Sequence, residues 1–208
     1  AFRAAGLAAD SGEGLRALAL LERIPERSGI ARSDQLLLEA KLRRAEGDVA
    51  GEERALRQLL SVAPATERAL EAAGRLGIPF TTGILVGIGE NRRDRAEALA
   101  VIGMSHQRHG HIQEVIVQNF LPKAGTAMAA APPCDEGEFL DAISLARMIL
   151  PPAVHLQAPP NLSEDFGKLL DAGIDDWGGV SPVTADHVNP ERPWPALEHL
   201  GRVTENRG

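Results

Sequence analysis

Apolar residues in the first third of the chain recur at helical intervals. Leu15, Leu18 and Leu21, followed by Ile24, make one stripe, and Pro25 ends it. Ser33 or Asp34 is placed to cap a second helix carrying Leu36, Leu37, Leu38, Ala40 and Leu42. Gly47-Asp48 breaks that helix, and a third follows with Ala55, Leu56, Leu59, Leu60 and Val62 before Pro64. Residues 1–65 are therefore expected to be helical throughout.

From Glu67 the pattern changes to alternating strand and helix. A helix over 67–76 ends at Gly77 and Pro79, and strand 80–87 follows. Asn91 is placed to cap a helix to about Gln107, and strand 113–120 comes next. Asp135 with Glu138 forms a capping box for a helix to about Leu150. Strand 153–157, a helix capped by Ser163, strand 174–177 and a final helix from near Trp194 complete the series. Repeated units of this size predict an α/β fold with right-handed parallel crossovers, either a β/α barrel or an open sheet.

The two segments also differ in composition. Residues 1–65 hold ten Lys/Arg and ten Asp/Glu, so the whole net charge of −7 comes from residues 66–208. All six His and both Trp lie in that second segment as well. Two domains are expected, 1–65 and 66–208. Within the first, the stretch from Gly47-Asp48 to Pro64 is similar to one tetratricopeptide-type hairpin, without a clear second copy. A helical packing segment is the plainer reading, and a ligand-binding repeat stays open. The acidic balance argues against nonspecific nucleic-acid binding. No apolar run reaches the ~18–20 residues of a membrane span, and a cytoplasmic protein is expected. The chain begins at Ala1 rather than Met, as a fragment or processed form would.

The ends of the predicted strands are polar: Gly87-Ile-Gly-Glu90, Gln118-Asn119, Gln157 with Asn161, and Asp175-Asp176-Trp177-Gly178-Gly179. Parallel β/α folds bind ligands at those ends. Gly83, Gly87 and Gly89 leave backbone bare for a flat ligand, while the amides and carboxylates suit a heteroaromatic molecule rich in imide or hydroxyl groups. Each residue also has a structural use, since Asn161 can cap a helix and Asp176 can pair with an arginine. His106, His109 and His111 are expected to be solvated, and Asp186-His187 to sit in a turn-rich loop shaping a pocket mouth. Cys134, the only cysteine, excludes an internal disulfide and any cysteine-rich metal site, and reads as a bystander thiol. No metal site is expected.

These same segments resemble the radical S-adenosylmethionine subunit or domain of the FO synthase family, over about residues 67–208. The matching stretches are Ile78-Pro-Phe-Thr-Thr-Gly-Ile-Leu-Val-Gly-Ile-Gly-Glu90, Gly110-His-Ile-Gln-Glu-Val-Ile-Val-Gln-Asn-Phe120, Gln157-Ala-Pro-Pro-Asn-Leu162, Asp175-Asp-Trp-Gly-Gly-Val-Ser-Pro182 and Asp186-His-Val-Asn-Pro-Glu-Arg-Pro-Trp-Pro195. The resemblance implies the C-terminal half of a radical enzyme on a β/α barrel. In the family, S-adenosylmethionine and a [4Fe-4S] cluster generate a radical that acts on a tyrosine–ribityluracil adduct, which cyclises with loss of ammonia. The implied cofactor-binding residues are Gly83, Leu85, Gly87, Glu90, Gln118 and Asn119. Gln157, Asn161, Trp177, Gly178 and Gly179 would bind substrate, and Asp175 and Asp176 would be catalytic. A companion subunit or domain is an implied partner; nucleic acid and membrane are not.

The chain departs from the family in one large respect. The Cys-x-x-x-Cys-x-x-Cys motif that holds the cluster is absent, and residues 1–65 stand where the cluster loop and first strands would lie. Two readings follow: a fragment of the enzyme that is inactive by itself, or a non-catalytic helical-repeat interaction module fused to a barrel remnant.

Overall fold

The computed structural model describes residues 2–25, 29–64, 66–181 and 183–207. It divides into two compact units, Ala1–Pro79 with Arg108–His111, and Phe80–Gln107 with Ile112–Gly208.

The first unit is helical among its described residues: α1 (Phe2–Asp10), α2 (Gly14–Glu22), α3 (Gly29–Ala45), α4 (Val49–Val62) and α5 (Glu67–Leu76). α1 escapes the hydrophobic pattern because its buried positions are the alanines Ala5 and Ala8, which give no large-residue stripe. α3 begins about a turn before the expected cap. Ser33 is buried inside it, and Asp34 accepts from Arg68 at 2.6 Å instead of capping. Gly47 (φ 78°) turns the chain, and Asp48 caps α4 by accepting from the Gly51 N–H at 2.8 Å. Leu36 and Ala40 then pack with Ala55, Leu56 and Leu59, and with Ala69 and Ala72 of α5. A second cluster joins α1 and α2 to α3 through Ala5, Ala17, Leu21 and Leu42.

The expectation of solvated histidines fails: His106 is half-buried with its Nδ1 shut off from solvent, and the other two meet protein groups directly. His109 lies 3.2 Å from the Glu71 carboxylate, and its ring meets that of His111 edge-on at 5.6 Å, with His111 buried. Gly74 admits the His109 ring, since a Cβ there would lie 2.5 Å from it.

The second unit carries β1 (Phe80–Val86), β2 (Ile112–Asn119), α7 (Glu136–Ile149), β3 (His155–Gln157), a 3-10 turn at Pro160–Leu162, α8 (Gly167–Ala172) and α9 (Leu197–Glu205). It also carries most of α6 (Arg92–His109). The strands form a parallel sheet in the order β1-β2-β3. The pairing Leu85↔Gln118 and Val86↔Asn119, with Ile116↔Gln157, fixes which side chains share a face. Val86, Val115, Val117 and Leu156 point to one face, where α7 packs through Phe139, Ala142, Ile143 and Ala146. Thr81, Gly83 and Leu85 on β1 point to the other face and are exposed, Leu85 by 38%. Parallel sheets are ordinarily covered on both faces. Here β1 is also an edge, with no further strand paired to it among the described residues.

Four expected elements are shorter than the pattern predicts, among them strand 153–157, which forms only as β3 over His155–Gln157. Strand 174–177 reduces to a single bridge, Gln157↔Asp176, because aspartates are poor strand formers and Gly178 (φ 71°) turns the chain away. Ser163 closes the 3-10 turn rather than opening a helix, and α8 starts at Gly167. The final helix begins at Leu197 because Pro195 disfavours helical backbone at Trp194.

Candidate functional site at the strand ends

β1 runs into Gly87 and Gly89, with φ of 96° and 112°, where only glycine is unstrained. The loop folds back on its own carboxylate: Glu90 accepts from the N–H groups of Gly87 at 2.7 Å and Ile88 at 2.8 Å. Arg95 donates to Glu90 at 2.8 Å and to Glu138 at 2.7 Å, with only 7% of its side chain exposed. Burial pushes the Glu90 carboxyl up, but the Gly87 N–H and Arg95 outweigh it and hold the group below the ordinary carboxylate range. Arg92 and then Arg95 bring Glu138 down to about 2. Glu138 therefore supplies half a capping box: its N–H donates to Asp135, while its carboxylate turns to the arginines.

The three glycines do different things. A Cβ on Gly83 would lie 2.1 Å from the Ile116 carbonyl oxygen, and one on Gly87 would lie 2.9 Å from Cys134 Cβ. Only Gly89 opens onto free space. Bare backbone for a ligand is offered there, whereas Gly83 and Gly87 serve close packing.

Strand alternation separates Gln118 from Asn119. Gln118 is on the open face beside Leu85, and its amide has no protein hydrogen-bond partner among the described residues. Asn119 points to the helix-covered face and donates to Leu162 O at 3.0 Å, leaving its Oδ1 buried without a partner. It lines a cavity of about 230 Å³ with Cys134, Phe139, Ser163 and Arg192. Burial pushes the Cys134 thiol up, which suppresses thiolate chemistry.

The two aspartates are likewise divided. Asp176 accepts from Gln157 at 3.1 Å and from the Gly178 N–H at 2.8 Å. Gln157 is itself buried, and its Oε1 would be 3.1 Å from a Cβ on Gly178, so that glycine is needed for the approach. Asp175 accepts from the Leu156 N–H at 2.6 Å and lies 3.2 Å from Arg147 and 3.4 Å from His155. Trp177 donates to Thr204 at 3.0 Å and meets Phe166 edge-on at 5.7 Å. A Cβ on Gly179 would meet no atom of the described residues within 4 Å.

Asn161 belongs to a different cluster. It donates to Asp186 at 3.0 Å and to Arg192 O at 3.1 Å, and its Oδ1 is buried without a partner. Asp186 also accepts from Asn189 at 2.9 Å and from the Val188 N–H at 2.8 Å. Burial pushes Asp186 up, but the Asn189 and Asn161 amides more than offset it and bring the carboxyl to about 2. Asp186, Asn189 and Arg95 are missed by pattern alone, since their partners lie 25 to 43 residues away or in turn-rich sequence.

The open face thus gathers Leu85, Gln118, Gln157, Asp176 and the Gly178-Gly179 turn. A free amide, a carboxylate held by two donors and an apolar wall suit a flat polar ligand with several hydrogen-bonding edges. Among the described residues, no group of three or more His, Cys, Asp or Glu could hold a metal ion. No described helix is long and apolar enough to cross a membrane.

No family model matches the chain. It is 57% identical over 143 residues, 68% of its length, to FO synthase of Mycobacterium tuberculosis, covering 17% of that protein. It is 59% identical over 134 residues, 64% of its length, to 7,8-didemethyl-8-hydroxy-5-deazariboflavin synthase of Methanoculleus marisnigri, covering 40% of it. The protein of that same name from Archaeoglobus fulgidus is 56% identical over 131 residues. About two thirds of the chain is therefore homologous to a segment of these proteins, and the chain spans less than half the length of each.

Proposed function

We propose that residues 66–208 are the C-terminal half of a radical S-adenosylmethionine β/α barrel of deazaflavin biosynthesis, and that this chain alone is inactive. The observation that supports it best is the parallel sheet, helix-covered on one face and open on the other, with Leu85, Gln118, Gln157 and Asp176 on the open side. A closed barrel turns that face inward and pairs the β1 edge with another strand. Residues 1–65 are a tetratricopeptide-like helical segment that precedes it in the chain.

S-adenosylmethionine, when bound, supplies the radical that takes hydrogen from a tyrosine–ribityluracil adduct, whose cyclisation with loss of ammonia is a carbon–nitrogen lyase reaction of the cytoplasm. In this chain Leu85 and the bare backbone at Gly89 form a wall for the adenosine, and Gln118 offers it an amide edge. Gly83, Gly87 and Glu90 shape that wall, while Asn119 and Asn161 order the segments behind it. Gln157, Gly178 and Gly179 border the adduct, with Trp177 anchoring their turn. Asp176 is placed to accept a hydrogen bond or proton from the adduct, and Asp175 fixes the strand end next to it.

The residues present do not fit the iron–sulfur cluster. Cys134 is the only cysteine, and its thiol is pushed up by burial. The cluster has to come from polypeptide outside these 208 residues, such as a companion subunit or domain. That lone cysteine also favours the second reading, a non-catalytic module fused to a barrel remnant. The test is a chimera joining residues 66–208 to the cluster-bearing segment of the Methanoculleus marisnigri relative. It is expected to make the deazaflavin anaerobically, and Asp176→Ala should lower turnover by roughly 100-fold or more. An unchanged rate in that variant would remove Asp176 from the site.

A further inference from the structure

A second pocket lies wholly within the helical unit, far in sequence from the strand ends. It is a cavity of about 260 Å³ lined by Leu18, Leu21 and Ile24 and by Glu22, Arg32, Gln35, Glu39 and Arg43. Its size is below the ~300–1,000 Å³ of drug-sized sites, which limits a ligand to a small molecule.

The polar groups on its wall divide into a satisfied pair and an unsatisfied set. Arg43 donates to Glu39 and to Asp48, each at 2.8 Å, so that pair is closed within the protein. Gln35 is only 4% exposed; its Nε2 reaches Leu21 O at 3.4 Å, but its Oε1 is buried with no partner. Arg32 has a buried Nε without an acceptor and no ion-pair partner among the described residues. Glu22 on the wall is exposed and also has no partner among them. A buried acceptor without a donor is costly unless something else supplies the donor, and an unpaired guanidinium is shaped for a carboxylate.

We propose that this cavity binds a free α-amino acid with an apolar side chain. The α-carboxylate pairs with Arg32, the α-ammonium donates to Gln35 Oε1 and faces Glu22, and the side chain lies against Leu18, Leu21 and Ile24. One cation, one anion and one buried acceptor beside three apolar residues match a zwitterion and use each unpaired group on the wall among the described residues. A simple anion would satisfy Arg32 alone, a peptide C-terminus would leave Glu22 without an ammonium, and a peptide N-terminus would leave Arg32 without a carboxylate. The site is independent of the strand-end reading, and either can fail without the other.

The test is calorimetric titration of the whole chain with leucine, leucinamide and N-acetylleucine. Leucine is expected to bind, and the other two to bind at least tenfold more weakly, since each lacks one charge. Arg32→Gln is expected to weaken leucine tenfold or more, and Arg32→Lys less, with circular dichroism confirming that both variants fold. Equal binding of all three compounds, unchanged leucine binding by Arg32→Gln, or no binding of leucine would each overturn the proposal. Tighter binding of N-acetylleucine than leucine would instead assign the pocket to a peptide chain end.

Discussion

Gly83→Ala is expected to destabilise the sheet-bearing unit by about 3 kcal/mol, a large effect for a single methyl group. The added Cβ would sit 2.1 Å from the carbonyl oxygen of Ile116 and 2.9 Å from its carbonyl carbon. Those are backbone atoms of the paired strand, so no side chain can swing aside. β1 has to move away from β2, and at about 1 kcal/mol per hydrogen bond the loss of a few ladder bonds accounts for the cost. Both tryptophans, Trp177 and Trp194, lie in this unit, so denaturation followed by tryptophan fluorescence reports on it directly. Gly201→Ala is the opposing control. Gly201 lies inside α9, where a Cβ would meet no atom of the described residues within 4 Å, and alanine there should stabilise by roughly 0.5–1 kcal/mol. Equal effects of the two substitutions would mean that β1 is not held tightly against β2.

Arg95→Met is expected to cost about 3 kcal/mol by a different route. The substitution fills most of the volume but leaves Glu90, whose side chain is 16% exposed, without its only cation among the described residues. Breaking one side of a buried pair is costly because the remaining charge is stranded. Glu138 suffers less, since Arg92 still donates to it at 2.7 Å. The pH dependence identifies the cause. In the parent, Glu90 is held below the ordinary carboxylate range, so its contribution is complete above the unfolded-state value near 4.5 and is lost as pH falls below it. In the variant, burial is no longer opposed by Arg95 and Glu90 takes up its proton more readily. The gap between parent and variant should therefore narrow on acidification below about pH 4.5. The double variant Glu90→Gln with Arg95→Met should recover a large part of the loss. A gap independent of pH would show that the cost is one of packing rather than charge.

Much of this architecture is legible in the chain because local signals coincide with it. Asp135 caps a helix where the pattern places it, Gly47-Asp48 separates two helices as expected, and Gly77 closes α5 in the left-handed region. The strand positions follow from runs such as Val115-Ile-Val117, buried at alternate residues. What escapes is whatever depends on partners distant in sequence. Asp34 is a good cap by type, yet Arg68 on another helix claims it. Gln118 and Asn119 are both polar strand-end amides, and only the register separates the open face from the covered one. Glu90 reads as a ligand-facing carboxylate, but two amides of its own loop and Arg95 occupy it. Asp186 reads as a turn residue, while its carboxylate ties Asn161 to Asn189.

The most direct measurement is anaerobic reconstitution of the chain with iron and sulfide, followed by counting of bound iron and assay of reductive S-adenosylmethionine cleavage. With Cys134 as its one thiol, the chain alone is predicted to bind no stoichiometric cluster and to form no 5′-deoxyadenosine. Binding of about four iron atoms per chain, with 5′-deoxyadenosine released, would contradict a barrel half that depends on a cluster supplied from elsewhere.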